Sequence, residues 1–146
     1  MKAICTYNRC IQSRMELVCQ IVGEIIDYLQ KNIENLDDCT LFEIRVVLNE
    51  VVSNAIKHGN KNDLDKNVKI SAGIIADGYC YFVVEDEGEG FTKYNNQFCC
   101  TGIVDSDDLC NIKESGRGIL IVNSLCDKVK FNSKGNKVVI LKKVFT

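Results

Sequence analysis

Apolar residues recur every three or four positions over two stretches of the first third of the chain, a spacing typical of amphipathic helices. The first predicted helix begins at Ser13, which has the S-x-x-E spacing of a capping box with Glu16. The second opens at Thr40, with Glu43 as its capping partner. It runs up to Gly59, which is expected to end it in a left-handed conformation.

After Gly59 apolar and polar residues alternate, which predicts strands rather than helices. Asp77-Gly78 is a strong signal for a two-residue hairpin turn, and Gly135 marks a second turn near the end of the chain. The predicted strands are 2–7, 68–76, 79–85, 129–132 and 137–144, and a third helix is predicted at 118–126.

The polar stretch 91–113 is too long for an ordinary connection, and stretches of this length in compact domains are commonly functional lids. The element order is then strand, two helices, two strands, lid, helix and two strands. This order predicts an α+β fold, a two-layer sandwich with helices on one face of a mixed, mostly antiparallel sheet. At 146 residues, the chain is expected to form one domain, 1–146.

The composition fits this picture, with 46% hydrophobic and 26% charged residues. A formal net charge of -2 argues against a broad nucleic-acid-binding surface. No apolar run approaches the roughly 20 residues that span a bilayer, and the amino terminus lacks the layout of a secretory signal. The sequence therefore predicts a cytoplasmic protein with no direct nucleic-acid or membrane partner.

The nine cysteines include no C-x-x-C pair, and the chain has one histidine, so the spacing gives little support for a structural zinc site. Cys19, Cys80 and Cys126 lie in apolar patterns and are expected to pack as small hydrophobic side chains.

The second helix carries polar residues on a face away from its apolar stripe. Glu43, Glu50, Asn54 and Lys57 share this face, and Glu50 and Asn54 lie one turn apart. Carboxylate and amide oxygens suit Mg²⁺ or an ordered water, and Lys57 is placed to meet a phosphate. A solvated helix face with an i,i+4 pair explains the same spacing.

Two glycine-containing segments carry further candidate chemistry. In D-E-G-E-G, residues 86–90, the glycines permit close approach of a ligand and Asp86 offers an acceptor for an exocyclic amine. An ordinary acidic turn has the same composition. In S-G-R-G, residues 115–118, glycines before a helix leave N–H groups open to an anion, with Arg117 as a charged partner.

Together the three segments resemble the nucleotide-binding motifs of the GHKL (Bergerat-fold) ATPases. Residues 48–59, L-N-E-V-V-S-N-A-I-K-H-G, are similar to the N box, residues 86–90 to the first glycine box and residues 115–118 to the second. The K-E-S-G-R-G-I run and the compact size further resemble the bacterial anti-sigma factor serine kinases. The resemblance covers nearly the whole chain.

The resemblance implies a Bergerat fold, ATP and Mg²⁺ as cofactors, and phosphoryl transfer to a serine. Asn54 would hold Mg²⁺, and Asp86 would accept from the adenine amine. Glu50 would act as general base on the serine hydroxyl of a small anti-anti-sigma (STAS-domain) protein. The resemblance also implies a sigma factor as the sequestered partner, and a homodimer.

The remaining implied ATP contacts are two pairs of glycines and three polar residues. They are Gly88, Gly90, Gly116, Gly118, Ser115, Lys57 and Arg117. The first glycine pair would make room for the nucleotide and hinge the lid, and the second would line the triphosphate. The two basic residues would contact phosphates.

Other interpretations of the same motifs are open. An ATP-gated anti-sigma switch without kinase activity would keep this site, although Glu50 favours a kinase because a pure binder needs no base there. Glu114 stands where the resemblance leads us to expect an arginine in sporulation-type members, so Arg117 or a lid lysine would replace it, or the chain belongs to a stress-response-like branch. A detached histidine-kinase domain would need a phosphoacceptor histidine, and His58 lies inside the N box.

Overall fold

Helices and strands follow one another in the predicted order. The computed structural model describes residues 3–75, 78–88, 118 and 120–144. Its elements are β1 (Ala3–Gln12), α1 (Val18–Asn32), α2 (Asp38–Asn54), β2 (Asn67–Ile75), β3 (Tyr79–Glu85), α3 (helical at 118 and 120–125), β4 (Lys128–Phe131) and β5 (Lys137–Lys143).

The strands form one sheet in the order β1-β2-β3-β5-β4, and each neighbouring pair is antiparallel. The predicted α+β class is confirmed, and antiparallel pairing accounts for all of the described sheet. β1, predicted as a strand at 2–7, lies at one edge of the sheet. It is longer than the predicted 2–7 because its pairing with β2 continues to Gln12, opposite Asn67.

The helices cover one face of this sheet. Alternate side chains of β3 and β5 are buried beneath them, whereas the residues between are half-buried or exposed. Cys80 is buried as predicted and Cys126 is half-buried, but Cys19 is exposed, because it falls just outside the apolar stripe of α1. The largest fully buried side chains are Phe82, Ile21, Ile25, Leu29, Ile44, Leu48, Ile56, Ile70 and Ile140.

The predicted capping box at Ser13 is wrong. Ser13 is 2% exposed and ends the β1 ladder, where its N–H and its hydroxyl both donate to the Lys66 carbonyl, at 3.2 and 2.6 Å. Glu16 pairs instead with Arg14 at the surface. A 3-10 turn, Met15–Leu17, separates the strand from α1. The serine therefore serves the sheet and not the helix.

The predicted capping residue of α2 is also wrong. Asp37 is the N-cap, and its Oδ1 accepts from the Thr40 N–H at 2.6 Å. Thr40 already lies inside the first turn, so it receives the cap rather than providing it. Glu43 reaches Lys142 on β5 instead of capping the helix.

Gly59 does not have the left-handed conformation predicted for it. The α-helix ends at Asn54 and continues as a π turn, Ala55–Gly59. Positive φ angles follow later, at Lys61 (54°) and Asn62 (59°). The glycine is needed here for another reason, which lies in the site.

The described parts of the hairpins agree with the sequence pattern. Ile75 pairs with Tyr79, and residues 76–77, which include part of the predicted turn, lie outside the described residues. Gly78 and Gly135 have positive φ angles of 86° and 81°, as turn glycines do. The third helix is confirmed at residues 118 and 120–125, and the predicted lid at 91–113 lies outside the described residues.

Within the described ranges, no helix combines the length and the apolar character that a membrane crossing requires.

Asp37→Ala should destabilise the protein at neutral pH and much less in acid. The Thr40 N–H lowers the pKa of the Asp37 carboxyl. The stability that the ionised Asp37 contributes is therefore fully present above the unfolded-state pKa of about 3.9, and it is lost as pH falls through the folded-state pKa. Urea-unfolding midpoints should separate at neutral pH and converge in acid. Asp37→Asn, which keeps the acceptor, is the control, and a larger loss in Thr40→Ala would restore the predicted capping box.

Candidate functional site

The polar face of α2 meets the start of α3 at Glu50. Glu50 and Asn54 are both half-buried and lie one turn apart, as predicted. A Cβ placed on Gly118 would overlap the carboxyl group and the Cγ of Glu50, so the backbone of α3 lies directly on this side chain. A side chain at position 118 would therefore require the Glu50 side chain to move.

α2 ends in a turn that is wider than an ordinary helical turn. In the π turn the Asn60 N–H donates to the Ala55 carbonyl, five residues back, at 2.8 Å. Such turns hold one extra residue and occur frequently at functional sites. Here the turn leaves Lys57 exposed and places Gly59 against Asp86.

Asp86 is the buried acid of the site, with 5% of its surface exposed. Its Oδ1 accepts from the Gly88 N–H at 2.8 Å. The carbonyl of Asn136 accepts from the Asp86 N–H, and its side-chain amide donates to the Asp86 carbonyl, both at 2.9 Å. Burial raises the pKa of the Asp86 carboxyl above its ordinary value, and the hydrogen bond from Gly88 opposes the shift. A donor on a ligand would offset the cost of ionising this group.

Two glycines allow the N-box segment to touch the acidic turn. A Cβ on Gly59 would overlap the Asp86 carboxylate, and a Cβ on Gly88 would overlap the Gly59 carbonyl. Neither glycine has a positive φ, so conformational freedom is not the reason for glycine at these positions. The reason is lack of space for any side chain.

Asn60 also joins the end of the N-box segment to the acidic turn, and the sequence analysis did not identify it. Only 1% of the Asn60 surface is exposed. The amide nitrogen donates to the Ser13 hydroxyl at 2.8 Å and to the Asn67 carbonyl at 3.0 Å. The Oδ1 accepts from the Glu87 N–H at 2.8 Å. An asparagine at the start of a polar loop gives no sequence signal that distinguishes a buried amide from an exposed one.

The other predicted nucleotide contacts lie outside the described residues. They are Gly90, Ser115, Gly116 and Arg117, and Glu114 lies outside as well. Of the predicted residues that are described, Gly118 contacts Glu50, and Gly88 contacts Asp86.

The described side chains suit a magnesium nucleotide. Glu50 and Asn54 present carboxylate and amide oxygens, the donors that Mg²⁺ prefers. Asp86 presents a buried acceptor, which suits an exocyclic amine of a nucleobase. Lys57 adds an exposed positive charge near Asn54. The site therefore has one end that fits a nucleobase and another that fits phosphates and a metal.

These features define the class of the protein. The model of the family described as Histidine kinase-like ATPase domain matches residues 11–142, and the chain belongs to this family. Membership implies nucleotide binding, and it confirms the resemblance to the GHKL ATPases.

Within the family, the chain is similar to anti-sigma F factors. It is 35% identical to that of Geobacillus stearothermophilus over 117 residues, which are 77% of each chain. It is 34% identical to that of Geobacillus sp. (strain WCH70) over 108 residues, 73% of this chain and 70% of the relative. It is also 25% identical to Serine-protein kinase RsbW of Bacillus subtilis (strain 168), over 69% of this chain and 62% of the relative.

Solved structures share the fold. The blue-light activated histidine kinase of Erythrobacter litoralis EL346 has a TM-score of 0.52 and 18% identity, over 87% of this chain and 42% of that chain. The histidine kinase domain from the same protein has a TM-score of 0.51 and 17% identity, over 92% and 62%. The chain thus spans less than two thirds of these structures, and the likeness concerns the fold alone.

Gly59→Ala should destabilise the protein by about 1–3 kcal/mol, the usual cost of an inserted methyl group in a packed site. Gly23→Ala is the matched control, because a Cβ on Gly23, inside α1, has no atom within 4 Å. The control should stabilise the protein by about 0.5–1 kcal/mol, since alanine is the better helix former. Urea unfolding measures both. Equal effects would show that Gly59 is not sterically restricted.

Asp86→Asn should stabilise the unliganded protein at neutral pH. Because the folded-state pKa of Asp86 lies above the unfolded value of about 3.9, the native protein loses stability as pH rises between the two. The variant does not titrate there, and it keeps an oxygen for the Gly88 N–H. The unfolding free energies of the native protein and of Asp86→Asn should therefore coincide in acid and diverge as pH rises through the folded-state pKa of Asp86. Glu87→Gln, at the exposed neighbour, is the control, and a difference independent of pH would contradict this explanation.

Proposed function

We propose that the chain is an ATP-dependent anti-sigma factor and a protein-serine kinase that uses Mg-ATP. It sequesters a sigma factor and phosphorylates a serine of an anti-anti-sigma (STAS-domain) protein. The main support is Glu50, a half-buried carboxylate one turn before Asn54 and packed against Gly118. A module that only binds nucleotide does not need a base there. The similarity to anti-sigma F factors and to Serine-protein kinase RsbW supports both activities.

Three described side chains divide the work at the proposed site. Asp86 accepts from the adenine amine, Asn54 holds Mg²⁺, and Glu50 is the general base. The buried position of Asp86 supports the first role, because a buried acceptor without a donor costs more free energy than an exposed one, so a ligand that supplies the donor is favoured. The oxygen chemistry of the Asn54 side chain supports the second role.

The remaining contacts of the proposal surround the phosphates and the lid. Gly88 and Gly90 make room for the nucleotide and hinge a lid at 91–113. The contacts at the triphosphate are Lys57, Ser115, Gly116, Arg117 and Gly118. Their support is that they lie within residues 11–142, which the family model matches, and that Lys57 is exposed.

Transfer of a phosphoryl group to serine needs one proton acceptor and precise placement of the reactants. Glu50 takes the hydroxyl proton while the serine oxygen bonds to the γ-phosphorus. The bond between that phosphorus and the β–γ bridging oxygen breaks, and ADP leaves. Mg²⁺, when bound, neutralises charge on the phosphates. Gly118 lies against the Glu50 carboxyl group, which supports a fixed direction for proton transfer.

The proposal also includes one domain, a homodimer and a cytoplasmic location, where a sigma factor is encountered. The sheet face that α1 and α2 leave open supports a dimer, because it carries half-buried apolar side chains that a second copy would cover. They are Tyr79, Tyr81, Val83, Val139 and Leu141.

Glu50→Gln should separate catalysis from binding. The amide keeps the size and hydrogen-bonding capacity of the side chain but is not basic, and a general base commonly contributes about 10²–10⁴-fold to the rate. We expect near-native affinity for Mg-ATP, retained binding of the sigma factor, and loss of serine phosphorylation. Labelled ATP with candidate anti-anti-sigma proteins, followed by mapping of phosphoserine, measures the reaction.

Asn54→Ala is the matched variant one turn further along α2, and it should instead abolish Mg-dependent ATP binding. Native turnover in Glu50→Gln would exclude Glu50 as the base. If the native protein holds a sigma factor with ATP but phosphorylates no partner, the binding-module alternative is correct.

A further inference from the structure

Lys142 is a charged residue on the buried face of β5. It follows Val138 and Ile140 in the alternation that points towards the helices, and it is only 6% exposed. Lysine is almost never fully buried unless it is paired. Its Nζ donates to the Glu43 Oε1 on α2 at 3.2 Å and to the Leu125 carbonyl of α3 at 2.6 Å. One ammonium group therefore joins both helices to the sheet.

The residues that follow α3 are fixed to the same strand. The Asp127 N–H donates to the Leu141 carbonyl at 3.0 Å. The Asp127 Oδ2 accepts from the Lys143 N–H at 2.6 Å. The carboxyl end of α3 is thus attached to β5 on both sides of Lys142, and the Lys142 side chain extends this attachment to α2.

Two contacts determine how α3 lies along α2. At one end Gly118 packs on Glu50, and at the other Lys142 links Leu125 to Glu43. Within each helix the two contacting positions are seven residues apart, which corresponds to about 10 Å of helix. The helices therefore run antiparallel with matched contacts two turns apart. Because α3 joins the two contacts, a displacement at the Lys142 end is expected to reach the Glu50 end.

We propose that Lys142 is a positioning residue for phosphoryl transfer. By linking α3 to Glu43, it sets the register of α3 on α2 and so holds Gly118 against Glu50. This inference rests on the proposed function, in which Glu50 is the base and the start of α3 lies at the triphosphate. It also gives Glu43, which shares the polar face of α2 with Glu50, a role that nucleotide contact does not explain.

The nucleobase end of the site is fixed independently of Lys142. Asp86 is held by Asn136 and by the Gly88 N–H, and the acidic turn is held by Asn60. None of these hydrogen bonds involves α3 or Lys142. Loss of the Lys142 link should therefore affect the phosphate end and spare recognition of the base. A general loss of stability would weaken both ends together.

The test compares ATP with adenosine on the full chain by calorimetry. Lys142→Met should weaken ATP binding about tenfold, the equivalent of one lost charge-assisted hydrogen bond, and leave adenosine affinity unchanged. Turnover should fall by about 10²-fold, as expected for a displacement of about 1 Å at the reacting groups. Amide exchange of residues 120–125, measured without nucleotide, should accelerate. Lys142→Arg, which keeps a cation with several donors, should restore most of the ATP affinity.

Ile140→Val is the matched control on the same face of the same strand. It should lower stability without changing the ratio of ATP to adenosine affinity or the exchange of residues 120–125. If Lys142→Met does not fold, Glu43→Gln decides, since it weakens the same link and should shift the ratio in the same direction. An unchanged ratio, or a parallel loss of both ligands, overturns the role of Lys142. If exchange of residues 120–125 accelerates in Lys142→Met but the native protein binds ATP no better than adenosine, the proposed function is wrong, whereas the link between the helices is confirmed.

Discussion

The contact of Gly59 with Asp86 is the constraint on which the geometry of the site depends. The end of the π turn and the acidic turn approach so closely that neither Gly59 nor Gly88 has space for a methyl group. This approach holds the carboxylate of Asp86 at the end of β3, and it buries the acid deeply enough to raise its pKa. Asn60 and Asn136 hold the acidic turn in place with further hydrogen bonds.

Departures from regular structure concentrate around that contact. The π turn, the left-handed residues Lys61 and Asn62, and the buried Asn60 all occur within a few residues of Gly59. Each carries a conformational or desolvation cost that regular helix or strand would avoid. Concentration of such costs in one place is expected of a functional site, because packing elsewhere in the domain compensates for them.

Periodicity along the chain was enough to predict the helices, the hairpins and the α+β class, because burial of one face imposes a period on each element. It failed where a polar side chain had more than one possible partner. Ser13 and Glu43 have the spacing of capping residues, but Ser13 bonds to the Lys66 carbonyl beside the sheet and Glu43 bonds to Lys142. Gly59 was expected to adopt a left-handed conformation, but the structure requires glycine there because Asp86 leaves no space for a side chain. A sequence shows that glycine is present but not which neighbour excludes a side chain. Buried amides such as Asn60 depend on contacts far along the chain.

The pairing of β3 with β5 has a consequence for the length of the chain between them. These strands are neighbours in the sheet, although the chain between them includes α3 and β4. The connection from Asp86 to Asn136 begins and ends at one pair of residues, Glu85 and Lys137, and its strand β4 pairs with β5. The entropy of closing a flexible loop grows only with the logarithm of its length, about 0.6 kcal/mol for each doubling. A change in the length of a loop within this connection would therefore cost little closure entropy, whereas Gly88, near its start, has no space for a side chain.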